Sequence, residues 1–79
     1  MDFMRRIYVS VVARFDEDGK ITPLWIEWKD GEKYEIDRIL SVSRLSASRL
    51  HPGYLFHVRI RDRERDLGYD GRWYVNVYD

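Results

Sequence analysis

Between Arg5 and Phe15 every second residue is apolar: Ile7, Val9, Val11, Ala13 and Phe15. A period of two puts all five on one face of a strand, so this stretch is expected to run as a single continuous strand. Asp16-Glu17-Asp18-Gly19 ends it with turn-forming residues and a glycine free to take positive φ. Ile21 to Trp28 resumes the alternation, with Leu24, Ile26 and Trp28 sharing a face. Pro23, which has no amide hydrogen for a ladder, marks a bulge or an edge. Asp30-Gly31 suits a tight type I′ hairpin into a strand with Tyr34 and Ile36 inside and Lys33, Glu35 and Asp37 outside. Around Ile39, Leu40 and Val42 both phases are apolar, which predicts a bulge or a bent strand covered on both sides.

Residues 41–50 repeat Ser-Val-Ser-Arg-Leu as Ser-Ala-Ser-Arg-Leu, read as a frayed strand end followed by a loop or short helical turn that His51-Pro52-Gly53 terminates. Tyr54, Phe56, Val58 and Ile60 against Leu55, His57, Arg59 and Arg61 form the clearest alternation in the chain. A polar reversal through Arg61-Asp62-Arg63-Glu64-Arg65 leads to a short strand at Leu67 to Tyr69. Asp70-Gly71 gives another tight hairpin, and the last strand has Trp73, Val75 and Val77 on one face with Tyr74, Asn76 and Tyr78 on the other. Short strands roughly ten residues apart, with turns between them and no long helix, predict an all-β fold. The expected architecture is a small antiparallel meander of five to six strands curling into an open SH3-like barrel, a single domain over residues 1–79.

Length and composition narrow the class. A chain of 79 residues makes one domain. Its core must be efficiently packed, which three Trp, six Tyr and three Phe can supply in a compact monomer. The chain has no cysteine, so it has no disulfide framework or thiolate zinc site, and a reducing cytoplasm is the expected setting. No apolar run suits a signal peptide, and none approaches the ~20 residues of a membrane-spanning helix. Net charge is zero, yet residues 38–65 hold seven arginines (Arg38, Arg44, Arg49, Arg59, Arg61, Arg63, Arg65) against Asp62 and Glu64, while the segments on either side are net acidic. The molecule is expected to be dipolar.

The segment Trp28 to Leu40 has a Trp-x-Asp-Gly-x-x-Tyr-x-Ile-Asp-Arg-aliphatic-Leu pattern, and the chain ends in a Trp-aromatic-Val strand at Trp73-Tyr74-Val75. In both features it resembles a group of short, uncharacterised bacterial proteins. More distantly, one hairpin is similar to the small β-domain of unknown function at the end of some Y-family DNA polymerases. Neither family carries catalytic residues to transfer, and the second resemblance implies a lean toward nucleic-acid work.

The residues themselves offer no catalytic set. Ser10, Ser41, Ser43, Ser46, Ser48 and Thr22 lack a glycine elbow and any partnering histidine and carboxylate order. Glu35 and Asp37 beside Lys33 and Arg38 read as cross-strand charge partners rather than an acid-base pair. His51 and His57 have no cysteine to complete a zinc set, and the glycines form neither a P-loop nor a dinucleotide fingerprint. The expectation is therefore a non-enzymatic module without metal or cofactor. Its candidate binding face combines Arg38, Arg44, Arg59, Arg61, Arg63 and Arg65 with rings from Trp25, Tyr74 and Tyr78, and Tyr8 beside them. Arg59 and Arg61 are expected on the outward face of their strand and Arg63 and Arg65 in the turn. Guanidinium groups track phosphates while rings stack on bases. The alternative is a protein-interaction or self-association module using the same aromatic surface. A third reading makes the face ordinary surface, with arginines lying over outward rings.

Overall fold

The computed structural model describes residues 4–45 and 53–78, apart from the side chain of Tyr78. They form eight strands: β1 (Met4–Tyr8), β2 (Ser10–Phe15), β3 (Ile21–Glu27), β4 (Lys33–Glu35), β5 (Arg38–Leu45), β6 (Gly53–Ile60), β7 (Arg63–Tyr69) and β8 (Trp73–Tyr78). The fold is all-β, and every strand pairing is antiparallel. The order is β1-β8-β7-β6-β5 in one sheet and β2-β3-β4 in the other. The expected meander survives as β5 to β8, but five to six strands become eight, in two sheets that do not close into a barrel. No helix among the described residues is long and apolar enough to cross a membrane.

The extra strands come from two places where a continuous alternation changes sheets. The stretch expected as one strand from Arg5 to Phe15 divides at Val9: Tyr8 pairs with Tyr74 in the large sheet, and Ser10 pairs with Glu27 in the small one. The second switch takes one residue, since the amide of Ile36 donates to Leu24 O of β3 at 3.0 Å and that of Asp37 to Arg59 O of β6 at 2.9 Å. The strand is bent as expected, and a register shift between Ile39 and Ser41 adds a bulge at Leu40. A second bulge falls at Pro23-Leu24, where Ala13 pairs with Pro23 and Val12 with Trp25, so Leu24 is skipped and exposed instead of facing inward with Ile26.

The core lies between the sheets. Phe56, Val58, Ile60 and Leu67 of the large sheet bury against Ile26 of the small one, with Trp28, Tyr34, Trp73 and Val75 half-buried around them. At about 25 cal/mol per Å² of apolar surface removed from water, this cluster is what makes two small sheets hold together. Of the segment read as a strand end and loop, Ser41–Leu45 belongs to β5, and residues 46–52, including His51, lie outside the described residues.

The turns differ from expectation in a way that moves side chains. Asp30-Gly31 is not a type I′ pair: Gly31 N donates to Trp28 O at 2.8 Å and Trp28 N to Glu32 O at 2.9 Å, closing a three-residue loop in which only Gly31, at φ 83°, is left-handed. The two-residue turn with both central residues left-handed is Arg61-Asp62, at φ 49° and 62°, between the paired Ile60 and Arg63. It contains no glycine, and Asp37 steadies it by accepting the Arg61 amide on Oδ2 at 3.0 Å. Left-handed backbone costs an ordinary L-residue roughly 1–2 kcal/mol, less for Asp. Asp62→Gly is therefore expected to raise stability by about 1 kcal/mol, seen as a melting temperature a few degrees higher. An unchanged or lower melting temperature would mean that the Asp62 side chain contributes more than its backbone costs.

Candidate nucleic-acid interface

Because the Arg61-Asp62 turn has only two residues, the inward phase of β6 continues into β7. Ile60 faces Arg63 and Val58 faces Arg65, so both arginines lie on the concave side of the large sheet rather than in a loop. The β7–β8 ladder stops at Leu67–Val75, and Asn76 and Val77 pair only with β1. Next to this divergence opens a groove of about 670 Å³ lined on one side by Val75, Asn76 and Val77 and on the other by Ile60, Arg61, Arg63 and Arg65, with Ile26, Trp28 and Tyr34 of the small sheet forming its far wall. Among the described residues, no acidic one lines it.

Its charges differ in how far they are committed. Arg61 donates through Nη2 to Glu32 Oε1 at 3.0 Å and lies 4.5 Å over the Tyr34 ring. The Tyr34 hydroxyl donates to the other Glu32 oxygen at 3.2 Å. Burial, together with that carboxylate, pushes the Tyr34 phenol above its ordinary value, so it stays protonated and keeps donating. Arg63 and Arg65 are exposed and have no counter-charge or hydrogen bond among the described residues. Asn76 holds a buried side-chain oxygen with no hydrogen-bond partner among the described residues.

The structure brings together only part of the expected set. Arg61, Arg63 and Arg65 converge on the groove, but Arg61 sits in the turn and reaches toward the small sheet instead of lying beside Arg59 on an outward face. Arg59 and Arg38 stand opposite one another on the outer face, and Arg44 is exposed on the edge strand β5 opposite Tyr54. Trp25 is half-buried, with the Lys33 ammonium 4.0 Å over its ring and Nε1 donating to Glu27 at 3.4 Å. Tyr74, expected as an exposed ring, is 2% exposed. It packs across Gly68 under Tyr8 and the Arg6 guanidinium, which sits 4.3 Å from its centroid. Tyr8 is itself covered by Arg72 at 3.9 Å. The side chain of Tyr78 lies outside the described ones. Trp28 and Tyr34, which do face the groove, read in the sequence as core residues, and their place at the hairpin tip beside β8 is set by pairing that no local pattern reports.

A second cluster, on the outer face, was also hidden. His57 Nδ1 lies 2.7 Å from Asp66 Oδ1 and Nε2 lies 3.1 Å from Glu64 Oε1, so a protonated ring donates to both carboxylates. The Asp66 bond first, and then that of Glu64, raises the His57 pKa above its ordinary 6.5 against a smaller opposing effect of burial. A raised folded-state pKa gives a contribution that is complete below the unfolded value and fades as pH rises through the folded one. Stability is thus expected to fall as pH climbs from about 6.5 through that folded pKa, and His57→Gln should flatten the slope. Urea midpoints measured across this window on both proteins provide the check, and a flat wild-type profile would contradict it. Comparison of the chain with protein-family models, with curated proteins and with solved structures returned no match in any of the three.

Proposed function

We propose that this domain is a non-enzymatic, open-barrel binding module of the cytoplasm that holds single-stranded nucleic acid in the groove between its two sheets. The observation that carries the reading is the pair Arg63 and Arg65, exposed and without counter-charge among the described residues, at the edge of a groove whose described lining contains no acidic residue and has Trp28 and Tyr34 in its wall. Such a groove meets phosphates with guanidinium groups and offers rings to bases, with little need for a particular sequence. With zero net charge the protein lacks long-range attraction to polyanions, so binding would be modest and strongly salt-dependent.

A fluorescence titration with short single-stranded DNA and RNA at low and moderate salt is the test. Saturable quenching of tryptophan is expected, with log K falling as salt rises. Arg63→Ala and Arg65→Ala should each lower the magnitude of that slope by about 0.7, the value for one phosphate contact on a single strand. Arg59→Ala, on the outer face, should leave it unchanged. Salt-independent binding, or none, would sink the proposal. The alternative, a protein-interaction or self-association module, is favoured by a different feature: β5 is an edge of the large sheet among the described residues, and Val42 on it is 54% exposed. Light scattering across a concentration series would reveal self-association.

A further inference from the structure

On the other side of Trp28 lies a second opening, of about 720 Å³, lined among others by Tyr8, Trp73, Lys29, Lys33 and Arg72. Trp28 belongs to both linings, as the residue where β3 ends and the three-residue loop begins. Along β8 the two openings are adjacent: Trp73 lines one and Val75 the other, two residues and about 7 Å apart on the same face of the strand. Cations again outnumber acids in the second opening, where Glu27 is the one carboxylate among the described lining residues. That carboxylate accepts from the Trp25 indole, and Lys33 is partly offset by Glu35 at 3.4 Å. Lys29 is exposed and has no ion pair or hydrogen bond among the described residues. Trp28 of the β3–β4 hairpin thus divides two basic stations, with Lys29 of the hairpin loop on one side and Arg63 and Arg65 of β7 on the other.

We infer that the nucleic acid bound in the first groove continues past Trp28 into the second opening, so that one single strand is held at two basic stations with Trp28 between them. The inference rests on the proposed groove reading and extends it from a point of contact to a track. It makes the number of nucleotides matter: a strand that fills only the first station has nothing to gain from Lys29 or Arg72, whereas a longer one does.

The experiment compares oligothymidylates of about four and about ten nucleotides, within the range of site sizes for small barrels. Each is titrated against wild type, Lys29→Ala, Arg72→Gln and Arg63→Ala. Lys29 is an exposed loop residue with no ion pair or hydrogen bond among the described residues, so its variant keeps the test sound if Arg72→Gln disturbs Tyr8. Lys29→Ala is expected to weaken the longer oligonucleotide about fivefold at low salt and to leave the shorter one unchanged, while Arg63→Ala weakens both. If Lys29→Ala affects both lengths alike, or neither, the track is overturned and the single groove stands. If neither oligonucleotide binds wild type, the groove reading fails and the track with it.

Discussion

Phe56→Ala is expected to remove a large part of the protein's stability. Phe56 is 2% exposed, and its ring centroid lies 5.6 Å from Trp73 and 6.3 Å from Tyr54, so one side chain joins β6 to the aromatic end of the core. Truncating a buried Phe to Ala removes transfer free energy and leaves a cavity, together about 3–5 kcal/mol. A domain of this size has a total stability of roughly 4–12 kcal/mol, so the loss takes a large part of it. The cross-strand partner of Phe56 supplies the contrast. Val42 stands directly opposite on β5, yet it is 54% exposed, because the small sheet does not cover that edge. Val42→Ala should cost no more than about 0.5 kcal/mol. Urea denaturation followed by tryptophan fluorescence measures both, and similar losses at the two positions would mean that the core extends further over β5 than its exposure indicates.

Gly68→Ala is expected to be the most damaging single-methyl change in the molecule. A Cβ placed on Gly68 would sit 2.1 Å from Tyr74 Cζ and 2.5 Å from its hydroxyl oxygen. Gly68 and Tyr74 are directly paired across β7 and β8, so the ring occupies the space that a side chain at 68 would fill. Although the clashing atoms are the far end of a side chain, the ring has little freedom to yield, with the Arg6 guanidinium and the edge of Tyr8 packed on it. Moving it would expose a ring that is now 2% exposed and undo both contacts. Overpacking of this kind typically costs about 1–3 kcal/mol. Tyr74→Ala alone should also destabilise, and the double variant should lose less than the sum of the two, since the methyl then enters vacated space. Additive losses would show that Gly68 matters for some reason other than Tyr74.

The strands with a buried inner face and short local turns were legible. Phe56, Val58 and Ile60 in one phase of β6 are the buried residues of that strand, and Pro23 marked a real bulge. Three features were not legible, each for a physical reason. Alternation continues through Val9 and through Ile36-Asp37 because a strand can bend into a second sheet without losing its period, so nothing in the side chains announces the change of partner. The Arg61-Asp62 turn has no glycine and only Asp62 takes left-handed backbone at reduced cost, and reading the reversal as five residues long placed Arg63 and Arg65 in a loop. Tyr74 falls in the outward phase of β8 and reads as exposed, because its burial depends on the missing side chain of Gly68 on another strand. The candidate groove was half visible for the same reasons: its arginines stood out as a charge excess, and its aromatic wall did not.

The placement of β1 also sets an order of events in folding. β5 to β8 pair with their neighbours in sequence and are closed by short loops or by residues 46–52, whereas the ladder of β1 is made with β8 alone, Ile7 against Val75. Closing a loop of about seventy residues delays that step relative to the hairpins, because the entropy of closure is lost before the contacts form. β1 would then be the last strand to dock and the first to open. Its amides should exchange with solvent ahead of those of β6 and β7. In any intermediate lacking β1, Tyr74 would lose its Arg6 and Tyr8 cover and the free edge of β8 would stand open to another chain.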